Sequence, residues 1–177
     1  MTETPTNHLQ LWLAKEDSAC SAARTQRLKW LEQFELGDDP VGFPGGWLVV
    51  SLFEEAKYCF VYGQSIATVV LGMAFVERLL AAYYYTTGRS DLERASITVL
   101  LKTARDDGWL TDGMYRQLDE IRGKRNPLVH FRAPLGADTV ELRAVLSCSH
   151  AYEVIEQDAR NVLTVLFHLI RTPAFVL

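Results

Sequence analysis

Residues 66–85, IATVVLGMAFVERLLAAYYY, make an apolar run of helical length with a charged pair, Glu77-Arg78, near its middle. Charges at that depth are expensive in lipid, so the run reads as the central buried helix of a bundle rather than as a membrane span. A helix that is apolar nearly all round must be covered on most faces. The flanking sequence supplies the cover. Upstream, Leu48, Val49, Leu52, Phe53, Ala56 and Phe60 recur at helical spacing, with Glu54, Glu55 and Lys57 on the other side and Gly63 as the break before the next helix, about 64–85.

Downstream, Ser90-Asp91-Leu92-Glu93 has the form of a capping box, which predicts a helix from there to about Asp107 with Ile97, Leu100, Leu101 and Ala104 inside. After Gly108, Thr111 can cap a further helix whose buried stripe is Met114, Leu118 and Ile121. Residues 137–147 form a connector without a clear period. A last amphipathic helix is predicted over 149–171, with Ala151, Val154, Ile155, Ala159, Val162, Leu166 and Leu169 as its stripe.

Before the body, residues 9–36 are helical but patchy, with Trp30, Leu31 and Phe34 on one face. The segment 37–46, GDDPVGFPGG, is a loop by its prolines and glycines. Two regions follow: an N-terminal helical arm with its loop, 1–46, and a helical body, 47–177. No strand alternation or glycine-rich phosphate loop is visible. The fold class is all-α, most simply an antiparallel bundle with short connections.

Composition narrows the function. The chain is 49% apolar and 23% charged with a net charge of -4, which suits a packed domain and argues against broad electrostatic binding of long nucleic acid. Cys20, Cys59 and Cys148 have neither disulfide-framework nor zinc-knuckle spacing, and no His/Cys/Asp/Glu cluster has ligand spacing, so no metal or cofactor is expected. The N-terminus lacks the pattern of a signal peptide, and a reducing cytoplasm is the expected home.

One stretch carries chemistry: IRGKRNPLVHFR, residues 121–132. Arg125 offers a planar fork for phosphate and His130 a proton that moves near neutral pH, the parts of metal-free phosphodiester cleavage. Arg122, Lys124 and Arg132 add local positive charge for RNA. Gly123 can end the preceding helix, Asn126 is a favoured N-cap and Pro127 suits a first helical position. On that reading the motif straddles a helix start, where free amides and the dipole seat an anion. The structural alternatives are an Asn126 that only caps and a His130 that sits in the core among Leu128, Val129 and Phe131. His8, His150 and His168 read respectively as a residue of a frayed terminus, a residue near a helix start and a solvated position. Tyr83-Tyr84-Tyr85 reads as packing surface.

With RNPLVHF preceded by LDEIRGK, the earlier stretch EEAKYCFVYGQSIATVVLGMAFVERLL and the closing helix, the chain resembles the HEPN superfamily over about 47–171. Many members are metal-independent endoribonucleases, often toxins or antiviral effectors, that dimerise so that two Arg/His motifs share a cleft. The resemblance implies a HEPN-type bundle, a homodimer, and Arg125, Asn126 and His130 as the catalytic set, with Glu77 as a supporting acid. It also implies products ending in a 2′,3′-cyclic phosphate, and a cognate antitoxin or regulatory protein as a further partner. Members paired with a nucleotidyltransferase antitoxin commonly carry a tyrosine two residues after the histidine. Arg132 stands there, which disfavours that mode of neutralisation. Other members are non-catalytic modules for dimerisation or for binding nucleotide, RNA or protein, and this is the alternative function.

Overall fold

A computed structural model describes residues 5–34 and 43–172. Seven α-helices follow one another: α1 (Pro5–Glu32), α2 (Gly46–Val61), α3 (Ser65–Thr86), α4 (Ile97–Asp106), α5 (Asp112–Val129), α6 (Val140–Ser147) and α7 (Ala151–Ile170). No strand occurs among the described residues, so the all-α reading holds. Most of the loop read over 37–46 lies outside the described residues.

The apolar run became α3 and occupies the centre, packed on α2, α4, α5 and α7. By length and composition it is the one described helix that could cross a membrane, yet Val69, Phe75, Val76, Leu79 and Leu80 are wholly buried against the other helices. Gly63, in the left-handed region at φ 76°, turns the chain between α2 and α3. Gly72 serves contact instead: a Cβ there would lie 2.3 Å from Cγ1 of Val162, so α3 and α7 meet backbone to side chain. These two helices run parallel to each other, and α2 and α5 run antiparallel to them.

Aromatic rings knit the α2 side of the core. Phe43 meets Phe53 and Phe75 edge-on at 5.9 and 5.4 Å, and Phe53 meets Phe167 at 5.5 Å. Near the far end of α3, Tyr84 stacks on Trp109 and its hydroxyl donates to Asp107 at 3.0 Å. Burial first, and that bond second, push the Tyr84 phenol upward and keep it neutral. Tyr83 also packs on Trp109 and Tyr85 is exposed, so two of the three tyrosines are packing residues.

Two local readings are revised. The Ser90–Leu92 segment forms a single 3-10 turn, because Arg89 binds Asp91 through two bonds of 2.9 and 3.0 Å and Leu92 is buried; α4 starts only after Ser96. The connector over 137–147 contains α6, capped by Thr139, whose hydroxyl accepts the Leu142 N–H at 3.3 Å. His8 lies in the first turn of α1. His150 proves to be the N-cap of α7, in a reciprocal capping box with Glu153, and His168 is exposed as expected.

The last third of α1 docks on the body. Arg27 bonds Glu156 at 3.1 Å, Trp30 packs on Phe60 and lies under Arg160, and Phe34 stacks on Phe167 at 4.6 Å. Glu156 also accepts from Arg160 at 2.7 Å. Burial favours its neutral form, but the two guanidinium bonds outweigh burial and hold the carboxyl below its ordinary range.

Candidate functional site

The motif does not straddle a helix start. Helix α5, capped by Thr111 through the Met114 N–H at 3.2 Å, continues through Gly123 and Asn126 to Val129 with Pro127 inside it. Proline removes one bond, the one its missing N–H would make to the Gly123 carbonyl, and the helix still closes with the His130 N–H on the Asn126 carbonyl at 3.0 Å. Leu118 and Ile121 are buried and Leu128 packs against the core, so the apolar stripe holds the helix together past the proline. Asn126 is therefore not an N-cap, and His130 is the C-cap in extended conformation.

This placement reverses the local field. The C-terminal end of a helix presents carbonyls and the negative end of the dipole, so the backbone offers no anion seat here. Any phosphate must be held by side chains. Five residues along a helix turn 500°, which sets Arg125 and His130 roughly 140° apart around the axis, while Asn126 lies one turn below His130. No side-chain hydrogen bond joins Arg125, Asn126 and His130 among the described residues. His130 is exposed, which removes the core-histidine alternative.

The cations of the run divide by pairing. Arg122 is held by Asp119 at 2.8 Å, and Lys124 by Glu120 at 2.7 Å and Asp158 at 3.5 Å. Arg132 is exposed, its guanidinium donating only to the Phe131 carbonyl at 3.2 Å. Arg125 is half-buried and has no carboxylate partner among the described residues, and its Nε lies out of water without an acceptor there. Leaving such a donor unsatisfied costs about 1–3 kcal/mol, more for a charged group. Two of the four cations read for RNA are thus neutralised in place, and Arg125 is the uncommitted one within α5.

Beside the motif lies a cleft of about 520 Å³ where the start of α3, the end of α5 and the start of α7 meet. Ile66, Leu128, Phe131, Arg132, Tyr152 and Ile155 line it, and it is mostly apolar. Phe131 is 89% exposed and Tyr152 79%, unusual for side chains of that size. Glu77 does not belong to this cleft. It lies eleven residues further along α3 than Ile66, about 16 Å by helical rise, in a separate cavity of about 620 Å³ with Arg78, Glu93 and Arg94. Among the described residues, no group of three or more His, Cys, Asp or Glu side chains could hold a metal ion.

Sequence reasoning missed the charged knot behind the motif. Asp158 of α7, 3% exposed, takes two bonds from Arg143 of α6 at 2.9 and 2.6 Å, with Lys124 of α5 beside it. An acid three residues after Ile155 and four before Val162 sits on the apolar stripe of α7, and that position was the available signal. Compared with protein-family models, curated proteins and solved structures, the chain matches none.

Proposed function

We propose that the protein is a metal-independent endoribonuclease of the HEPN type, acting as a homodimer in which the motif-bearing ends of two copies form one site. The observation that carries the reading is Arg125: a permanent cation, half-buried and without a carboxylate partner among the described residues, five positions before an exposed imidazole. A phosphodiester meets the outer N–H groups of the guanidinium, the sealed Nε taking no part. His130 takes the ribose 2′-hydroxyl proton or returns one to the leaving 5′-oxygen, and Arg125 stabilises charge on the pentacoordinate phosphorus. The roughly 140° between the two side chains within one helix supports a site completed by a second copy. The Arg-Asn-x-x-x-His spacing and the central apolar helix support the family reading. Glu77, in its own cavity, has no part in this site.

A second reading rests on a different observation. The motif closes a helix C-terminus beside an exposed apolar cleft, which suits a non-catalytic module that binds a protein through that end. Incubating the protein with single-stranded and structured RNA in chelator separates the two. Cleavage leaving 2′,3′-cyclic phosphate, abolished in His130→Ala and reduced about 10²–10³-fold in Arg125→Ala, is the expected result. Equal cleavage by wild type and both variants, or none by any of them, overturns the nuclease.

A further inference from the structure

Helix α1 is longer than the surface it rests on. Its positions Leu9, Leu13, Glu16, Cys20, Ala23, Arg27, Trp30 and Phe34 alternate in steps of four and three, the period of a helix–helix seam. The last three are docked on α2 and α7, whereas residues 7–23 are all exposed. Leu9 is 62% exposed, Leu13 55% and the flanking Trp12 56%. The seam that binds the body thus continues for about 25 Å with none of the other described elements against it. Helices in proteins owe most of their stability to packing of an apolar face, and the free part of α1 leaves its Leu9, Trp12 and Leu13 face in water.

The direction of the arm names the surface. From Phe34 on Phe167, through Arg27 on Glu156, to Arg24 over the Tyr62 ring, α1 climbs toward the start of α7 and the turn between α2 and α3. That is the end of the body where Ile66, Phe131 and Tyr152 line the apolar cleft. The arm leaves its own body there without touching the cleft.

We infer that residues 7–23 of α1 are an exchange arm, seated by the Leu9, Trp12 and Leu13 face in the Ile66–Phe131–Tyr152 cleft of a second copy. Three observations favour this occupant. The free seam is continuous with the docked one. Its neighbouring Lys15 and Glu16 offer one partner for each of the cleft's two charges, Glu141 and Arg132. Taking about 200 Å² per aromatic residue, the exposed parts of Trp12, Phe131 and Tyr152 alone supply roughly 450 Å² per copy, over half of the ~800 Å² each partner gives to a standard interface. Two arms coiled on each other are a poorer solution, because Glu16, Cys20 and Ala23 in the seam give such a coil little to pack. The inference does not depend on the motif cutting RNA.

The test mixes two full-length populations, one carrying a photo-crosslinking benzoylphenylalanine in place of Trp12 and the other wild type labelled with ¹⁵N. Crosslinks into ¹⁵N peptides that contain Phe131 or Tyr152 are expected, together with an at least tenfold weaker dimer by sedimentation for Trp12→Asp and for Phe131→Ser, both substitutions at exposed positions. Crosslinks confined to the chain's own peptides or to the partner's arm overturn the inference, as does a monomeric wild type. RNA cleavage is scored separately, so an inactive but arm-exchanged dimer refutes the nuclease and leaves the arm standing.

Discussion

Replacing Gly72 by alanine tests the closest approach in the core. The added Cβ would lie 2.3 Å from Cγ1 of Val162 and 3.3 Å from Cδ1 of Leu166, whereas carbon atoms rest at about 3.5–4.0 Å. Val162 cannot swing aside cheaply, since a β-branched side chain in a helix keeps essentially one rotamer. The helices must therefore separate by more than ~1 Å, an overpacking cost near the upper end of ~1–3 kcal/mol. Alanine returns about 1 kcal/mol through its better helix propensity, leaving Gly72→Ala destabilised by about 2 kcal/mol. Val162→Ala alone loses two buried methyl equivalents, about 2 kcal/mol with its cavity. In the double variant the new Cβ fills that cavity without a clash and keeps its propensity gain of about 1 kcal/mol, so the loss falls to about 1 kcal/mol or less instead of the additive ~4, a coupling of about 3 kcal/mol. Urea unfolding followed by tryptophan fluorescence and helical circular dichroism measures all four corners of the cycle. A Gly72→Ala variant as stable as wild type, or two losses that simply add, would refute this register of α3 on α7.

Three further outcomes follow from the packing and the electrostatics. Asp158→Asn leaves Arg143 and Lys124 without their shared carboxylate and is expected to cost about 2–4 kcal/mol, below the full range for a sealed pair because both cations are partly wet; a loss under 1 kcal/mol in thermal unfolding contradicts the knot. Glu156, held below its ordinary range by Arg27 and Arg160, contributes stability above the unfolded carboxyl pKa of about 4.3, and that contribution disappears as pH falls through the lower folded value. Glu156→Gln should then lie about 1 kcal/mol below wild type at pH 7, with the gap closing under about pH 4; a gap unchanged at acid pH removes the assignment. Cys148 closes α6 at φ 51° and ψ 37°, a left-handed conformation that costs an L-residue roughly 1–2 kcal/mol, part of which glycine gives back as unfolded-chain entropy. Cys148→Gly should raise stability by about 0.5–1 kcal/mol in the same urea assay, and a decrease would show that the thiol makes a contact of its own.

The long helices were legible because one physical signal, an apolar period longer than any turn motif, dominates their sequences. Phe53, Phe60, Leu100, Leu101, Leu118 and Leu166 fell inside as their spacing required. Short-range signals fared worse wherever a longer-range one opposed them. Asn126-Pro127 has the chemistry of a helix start, but losing a single bond near the end of α5 costs less than giving up the contacts of Ile121 and Leu128. Ser90 and Glu93 had the letters of a capping box, and the burial of Leu92 with the Arg89–Asp91 pair folded them into a turn instead. The cleft could not be read at all, since Ile66, Phe131 and Tyr152 lie far apart in the chain and only the stacking of three helix ends brings them together.

Helix α6 buries a single apolar side chain, Ala144, and flanks the cleft with Thr139, Val140 and Glu141 at its start. Its firmest tie to the rest is the Arg143–Asp158 pair. In a hydrogen-exchange measurement α6, tied by one ion pair, Ala144 and Val140, is expected to open before α3 and α7, whose side chains form the core. Loss of the Arg143–Asp158 pair is therefore expected to loosen the Thr139–Glu141 wall of the cleft before it disturbs the core.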